Sequence, residues 1–567
     1  MPPAATTGLQ RDFVPLERAL GRNVFLSDYL SGEGEARSFF AHPPTLAAAA
    51  AIAERVATEP GRAPRAEVSA ALVARQERIG AGARAIENAR RLAEPGAVAV
   101  VTGQQPGLLT GPLFTIYKAI SVVTLARRLA AECSRPVVPV FWIGSEDSDW
   151  AEVDHAVVLD RQGAPQRIAL PLGDEWTGRP VGQFPVAADE VFAALDAALP
   201  DSEFKPALFA ALRDGEGTRW RTLGGWFAAL LAKLFADDGL VMLDPLDPRI
   251  KALMKPVFRR AIEETEWPGA LVRAAYDRMR AAGYAPTLRP REDHTGFALA
   301  DGSREPVLVT KDGFRAGEET LTKAALLALL DEHPERFLTT ASLRVLAQDT
   351  LLPTVAYAAG PHELVYLGQL RGAYEAAGLT MPVVLPRASA TLVEGSQARL
   401  LEGLALNPRG VAGGPGDPPP AWVGALWDLR GLDERGVMAL SARASAGGLV
   451  DTFEESRKVV GEAAGRVAAA SAEADPTLAT PAAKLREKFD ADLARLQEKA
   501  LAARARHDVA AIRRLRQTQA ALWPNGEPQE RALCAVSLLA RHGLAFVPLL
   551  TEALEGTEGQ HAVVRLG

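Results

Sequence analysis

Residues 98–120 read V-A-V-V-T-G-Q-Q-P-G-L-L-T-G-P-L-F-T-I-Y-K-A-I. An apolar, β-branched run ends at Thr102, a turn containing Gly103, Gly107 and Gly111 follows, and a helical pattern begins beyond it. The segment LFTIYKAISVVTLARRLAA gives an amphipathic helix of about five turns, with Pro112 at its first position, where a missing N–H costs nothing. A second apolar run, PVVPVFWI, follows at 136–143. Strand, helix and strand in that order make a βαβ unit, which calls for a parallel sheet covered by helices. The fold class is therefore α/β.

The turn also poses a chemical question. It matches neither G-x-G-x-x-G nor G-x-x-x-x-G-K-[ST]. Its glycines still permit close backbone approach, and the free N–H groups at the start of the next helix can hold an anion. Thr102, Gln104, Gln105 and Thr110 add side-chain donors, and Lys118 falls on the second helical turn. A glycine-rich turn without a ligand satisfies the same facts, so both readings stay open here.

Outward from this unit, residues 45–95 have the three- and four-residue apolar steps of helices. HAVVLDRQGAPQRIALPL (155–172) reads as a hairpin, and the two Asp-Gly turns in 299–315 as a small antiparallel piece. LGGWFAALLAKLFADDGLVMLDP is a helix followed by a strand, and 367–387 repeats that step. Residues 405–420 are Gly/Pro-rich and read as loop. Beyond 451 the chain turns charged and helical. Leu485, Phe489, Leu493, Leu496, Ala500 and Ala503 form one narrow stripe on a long helix over 481–522, which pairs with a helix at about 451–473 across the PTLATP break. Such a seam suits a homodimer or packing on its own chain. The resulting organisation is a helical region at 1–95, a core at 96–404 with insertions near 155–175 and 285–320, a Gly/Pro-rich insertion at 405–450, a coiled-coil hairpin at 451–522 and a C-terminal segment, 523–567, that returns to the core.

Three more stretches carry candidate chemistry. In FWIGSEDSDWAEVDHA (141–156) a strand containing Trp142 runs into Glu146, Asp147, Asp149, Glu152, Asp154 and His155. Ligands of parallel sheets sit beyond the carboxyl ends of strands. Crowded carboxylates need a positive partner: Mg²⁺, a substrate ammonium or nearby arginines. Glu146, Asp147, Asp149 and His155 are the catalytic candidates, while helix capping and surface ion pairs are the plain alternative; a lone histidine argues against zinc. In residues 343–370, Arg344, Gln348 and Asp349 precede a Gly-Pro turn and a helix with Glu363, Tyr366 and Gln369 on one stripe. That stripe either lines a pocket or faces solvent. Arg387 and Ser389 lie just past another strand end, where an arginine suits a carboxylate or phosphate. His42, His294, His333 and His542 stand in polar or loop contexts and are read as incidental.

Bulk properties narrow the classes. The 567 residues carry a net charge of -7, which speaks against nucleic-acid binding through the phosphate backbone. Two cysteines, Cys133 and Cys534, rule out a disulfide framework or a multi-cysteine metal site. The N-terminus lacks signal-peptide order and no apolar run is long enough to span a bilayer, so a cytoplasmic protein with no membrane partner is expected.

VTGQQPGLLTGPLFTIYKAIS, FWIGSEDSDWAEVDHA, LAQDTLLPTVAYAAGPHELVY with MPVVLPRASATLVE, and WPNGEPQERAL together resemble the cysteine ligase (cysteine-adding enzyme) family of bacillithiol biosynthesis, over nearly the whole chain. FLSDYL at 25–30 fits the same pattern. The resemblance implies a Rossmann-like core with connecting insertions and a coiled-coil dimerisation segment. It also implies joining of the cysteine carboxylate to the amine of glucosaminyl malate. Two features depart from it: Tyr117 stands where the family's T-I-H-K-A pattern has histidine, and 405–448 is longer than usual. Condensing a carboxylate with an amine in water needs activation, which ATP would supply through an adenylate or acyl phosphate. On this reading the glycine-rich turn faces an anion, the acidic loop binds a metal or the substrate ammonium groups, and Arg344 and Arg387 take the malate carboxylates. A transferase on the same fold and a non-catalytic, nucleotide-sensing coiled-coil protein remain as alternatives.

Overall fold

The computed structural model describes residues 9–289, 291, 293–405, 420–445, 447–505 and 509–567. Five parallel strands form its centre: β1 (Val98–Gln104), β2 (Val137–Ile143), β3 (Val241–Leu243), β4 (Thr354–Ala359) and β5 (Val383–Pro386). Their spatial order is β5-β4-β1-β2-β3. Winding reverses between β1 and β4, so the loops leaving these two strands diverge and open a crevice at their carboxyl ends. Alternate side chains serve different cores, as a strand's period of two requires. Val98, Val100, Phe141 and Met242 pack into one; Ala99, Val101, Trp142, Leu243 and Tyr357 pack into the other.

Helix α1 (Leu113–Cys133) links β1 to β2 and is buried along most of its length. Pro112 is its N-cap rather than its first residue: its ψ of 157° is extended because it forms an antiparallel bridge with Cys534. The hairpin of His155–Leu159 with Pro165–Ala169 forms as expected. The Asp-Gly turns at Gly302 and Gly313 belong to a larger antiparallel sheet of five strands, from His294 to Thr339. Helices α2 (Ala341–Leu351) and α3 (Pro361–Gly368) flank β4.

The chain ends depart from the expected helical start. Gln10–Pro15 is a strand, paired antiparallel with Gln560–Arg565, which in turn pairs parallel with Ser389–Val393. Within the stretch expected as a Gly/Pro-rich insertion, Ala421–Asp428 and Glu434–Ser445 are helices; Trp422 and Leu426 pack against Leu401 and Leu522. Most of the 405–420 loop lies outside the described residues. The expected single helix over 481–522 is described as Ala479–Ala505 and Val509–Leu522. Gly447–Ala474 folds back along the first of these. Leu485, Phe489 and Leu496 nevertheless face outward, 64%, 38% and 57% exposed. Among the described residues no helix is long and apolar enough to cross a membrane.

Candidate active site

The crevice between β1 and β4 has a charged floor. Lys118, buried on α1, donates from Nζ to Gly103 O at 2.6 Å and Gln104 Oε1 at 2.9 Å. The same Nζ lies 2.6 Å from Glu363 Oε2 on α3. Glu363 also accepts from Gly360 N at 2.8 Å and Tyr357 Oη at 3.0 Å. Burial alone would raise the Glu363 carboxyl, but Lys118 and the Gly360 N–H outweigh it and hold the group below its ordinary range. Burial draws Lys118 down, opposed by Glu363. The two act as one ion pair placed where the sheet reverses.

Beside it, Arg344 on α2 spreads its guanidinium over three neutral groups. Nη1 donates to Gln348 Oε1 at 3.2 Å, both Nη atoms to Tyr357 Oη at 3.3 Å, and Nη2 to Tyr366 Oη at 2.5 Å. Desolvation works against its charge, but Tyr357, Tyr366 and the nearby Glu363 raise its pKa. Gln348 is held in turn by Asp349, which accepts from Tyr374 Oη at 2.5 Å. Gly103 is needed at the end of β1: a Cβ there would lie 3.3 Å from Arg344 Nη1, Trp142 O and Tyr357 Oη.

Two adjoining cavities open from this floor and share Gln104, Gln105 and Glu363 as a wall. The larger, about 730 Å³, is bounded by Lys118, Glu152, Arg387 and Arg531, by the turn between two helices at Leu20–Leu26 and by the loop Gly283–Thr287. The smaller, about 260 Å³, lies against Gly103, Trp142, Asp147, Arg304 and Arg344, and the Thr339–Ala341 start of α2. At the rim of the larger cavity, desolvation, Asp149 and Asp147 raise the Glu152 carboxyl against a hydrogen bond from Gln105. Arg22 and Arg531 are exposed there, and no ion pair to either is found among the described residues.

The structure redistributes the residues singled out in the sequence. Gly103, Gln104, Gln105, Lys118, Trp142, Asp147, Arg344, Glu363 and Tyr366 all reach one cavity or the other. The second half of the glycine-rich turn does not. Leu113 N, at the helix start expected to hold an anion, donates to Leu533 O at 2.8 Å, and Cys534 Sγ donates to Leu109 O at 2.8 Å. Gly107, Thr110 and Gly111 are thus closed off beneath the C-terminal segment. Thr102 is buried and donates to Ala358 O at 2.7 Å, tying β1 to β4.

The acidic loop also separates. Glu146 borders the smaller cavity but forms a buried ion pair with Lys251 and accepts from Thr339 N at 3.1 Å and from Thr339 Oγ1, clamping the antiparallel sheet to the core. Asp149 is exposed, and His155 lies at the hairpin, 2.7 Å from Asp154, which also pairs with Arg167. Among the described residues no three His, Cys, Asp or Glu side chains converge as metal ligands. Gln369 sits behind the larger cavity rather than in it, accepting from Thr287 N and Leu288 N at 3.1 and 2.9 Å and so fixing the loop that forms the wall. Arg387 does border that cavity, but its Nη2 is taken by Glu530 at 2.6 Å. Ser389 donates to the same carboxylate at 2.7 Å and lies 2.7 Å from His561 Nδ1. Tyr117 is fully buried with its hydroxyl unpartnered.

Glu530, Arg531 and Arg22 had no role assigned from sequence. The first two lie within WPNGEPQERAL, but only tertiary contact brings that motif to Arg387 and the cavity rim. Comparison with known proteins agrees with this architecture. Residues 11–388 match the N-terminal Rossmann-like domain of bacillithiol biosynthesis BshC, and 437–566 match its C-terminal coiled-coil domain. Relatives named "Putative cysteine ligase BshC" include one from Salinibacter ruber, 36% identical over 95% of this chain and 94% of its own length. One from Koribacter versatilis is 33% identical over 98% and 99%, and one from Geobacillus thermodenitrificans is 31% identical over 87% and 89%. With both domains matched in order, and with a parallel sheet that reverses at the crevice holding Lys118 and Glu363, this chain belongs to the BshC family of bacillithiol biosynthesis.

Proposed function

We propose that this protein is a cytoplasmic ligase that joins the carboxylate of cysteine to the amine of glucosaminyl malate with consumption of ATP. The observation that carries this reading is the pair of cavities sharing one wall at the switch point, a geometry suited to bringing two ligands together. A cavity of about 730 Å³ is in the range that encloses a ligand of nucleotide or glycoside size. Arg22 and Arg531, which form no ion pair among the described residues, suit carboxylates or phosphates, so the malate carboxylates are assigned to Arg22 rather than to Arg387, whose charge Glu530 already balances. Glu152, with its raised carboxyl at the same rim, is placed to take the proton that the attacking amine must lose.

A nucleoside triphosphate, when bound, supplies the activation of the carboxylate. Of the larger cavity's cations, Arg531 at the rim fits its phosphates, whereas the three Nζ donors of Lys118 are already taken by Gly103 O, Gln104 Oε1 and Glu363. The start of α1 does not fit them, since Leu533 closes it. Among the described residues no three His, Cys, Asp or Glu side chains converge as a cage, and a Mg²⁺ carried by nucleotide phosphates needs only about one or two protein carboxylates. We assign dimerisation to the outward stripe of Leu485, Phe489 and Leu496.

The decisive experiment is mass spectrometry of the purified protein incubated with cysteine, glucosaminyl malate and ATP. The amide product with stoichiometric loss of ATP is expected. Amide formed from a pre-activated donor without ATP loss points to a transferase, and absence of product under all nucleotide conditions removes the ligase reading.

A further inference from the structure

The charges of the smaller cavity balance only in part. Glu146 is neutralised by Lys251 and Glu363 by Lys118. Arg344 gives all its described hydrogen bonds to the neutral Gln348, Tyr357 and Tyr366. Arg304, on the same wall, donates to Thr339 O at 2.9 Å. Asp147 accepts from Gln105 Nε2 at 3.0 Å, Ser148 N at 2.7 Å and Asp149 N at 3.3 Å, all of them uncharged donors. Two guanidiniums and one carboxylate therefore face one space with no ion pair between them among the described residues. A desolvated guanidinium held by neutral acceptors is stabilised strongly by a bound carboxylate, and a half-buried carboxylate by a bound ammonium.

Size points the same way. The cavity of about 260 Å³ falls below the range of about 300–1,000 Å³ that encloses drug-sized ligands, yet far exceeds the roughly 30 Å³ of a water. Trp142 and Pro245 bound it with apolar surface, which limits a side chain to a short one.

We propose that the smaller cavity binds a free α-amino acid with a short side chain, its carboxylate on Arg344 and Arg304 and its ammonium on Asp147. Given the ligase reading on which the choice of amino acid rests, that ligand is cysteine. Arg344 lies close enough to Glu363 to feel its charge, and Glu363 belongs to the wall shared with the larger cavity. The carboxylate is thereby held at the boundary from which an amine in the larger cavity can reach it.

Isothermal titration of the full chain with L-cysteine, cysteamine and 3-mercaptopropionate tests this, alone and with ATP. Cysteine should bind, and the analogues lacking the carboxylate or the ammonium should bind at least about tenfold more weakly. Arg344→Met and Asp147→Asn should each weaken cysteine by about tenfold or more, while Arg531→Met in the larger cavity changes it less than about twofold. In turnover, Arg344→Met should raise the KM for cysteine and leave that for glucosaminyl malate alone. Thermal melts check folding; if Arg344→Met fails to fold, Asp147→Asn on its half-buried loop decides. Cysteine binding that survives both substitutions, that is lost through Arg531→Met instead, or that is absent from the wild type overturns the proposal. Cysteine binding without any amide product sinks the ligase reading and leaves the site standing. Amide product with an unchanged KM for cysteine in both variants does the reverse.

Discussion

Replacing Glu530 by alanine should undock the C-terminal segment from the core. Glu530 is 1% exposed, and its carboxylate accepts from Arg387 Nη2 at 2.6 Å, Ser389 Oγ at 2.7 Å and Ala390 N at 3.0 Å. Stranding one partner of a buried ion pair costs about 3–5 kcal/mol, and a buried N–H left without an acceptor adds about 1–3. Two compensations favour the lower half of the combined range. Ser389 keeps His561 Nδ1 at 2.7 Å, and Arg387 keeps Ala388 O at 2.7 Å. The expected loss is about 4 kcal/mol, or roughly three decades in the opening equilibrium. Hydrogen exchange of the Gln560–Arg565 amides reads that equilibrium locally, because this strand lies beside Ser389–Val393. Arg387→Leu should then cost far less in the Glu530→Ala background than in the wild type, with a coupling of about 3 kcal/mol. Exchange accelerated less than about tenfold, or strictly additive substitutions, would refute the view that this pair docks the C-terminal segment.

Three further outcomes are expected. Gly103→Ala should crowd Arg344, Tyr357 and the immobile Trp142 carbonyl, all 3.3 Å from the new Cβ, costing about 1–3 kcal/mol in a denaturant melt and weakening ligand binding at Arg344. Burial pushes His561 down to about 4 despite Glu530, so on acidification the unfolded chain takes up its proton first, near pH 6.5, and stability is lost from there down to about 4. Between about pH 6.5 and 5 the wild type should therefore lose about 2 kcal/mol more than His561→Gln, and parallel pH curves would remove His561 from the account. Leu485→Lys with Leu496→Lys, both on the outward stripe, should convert a dimer to a monomer in sedimentation analysis and leave the melting of the core unchanged; a monomeric wild type would contradict that assignment.

Part of the site was legible from residues 98–120, 141–156 and 343–370, since strand ends, glycine turns and helix starts are written within a few neighbours. Lys118, Gln105, Arg344 and Glu363 were found that way, and all reach the crevice. Glu146 borders the smaller cavity with its charge already answered by Lys251, and Ser389 lies outside both cavities, for one reason: their partners lie 105 and 141 residues away, and a local pattern cannot show whether a polar side chain already has a partner. Gln369 follows the spacing of its stripe, but α3 ends at Gly368, so it turns away to hold Leu288.

The amino-acid order by itself determined the α/β class, the βαβ unit with its long buried helix, the Asp-Gly hairpins and the charged helical hairpin. Each depends on periodicity or turn chemistry within about twenty residues. Only the tertiary structure decided which half of V-V-T-G-Q-Q-P-G-L-L-T-G-P meets a ligand. Gly103, Gln104 and Gln105 border the cavities because the sheet reverses between β1 and β4. Gly107 to Gly111 are sealed by Leu533 and Cys534, which lie more than 400 residues further along the chain. An open helix start and a closed one share the same local sequence; what separates them is whether another part of the chain supplies the acceptor that the free N–H groups require.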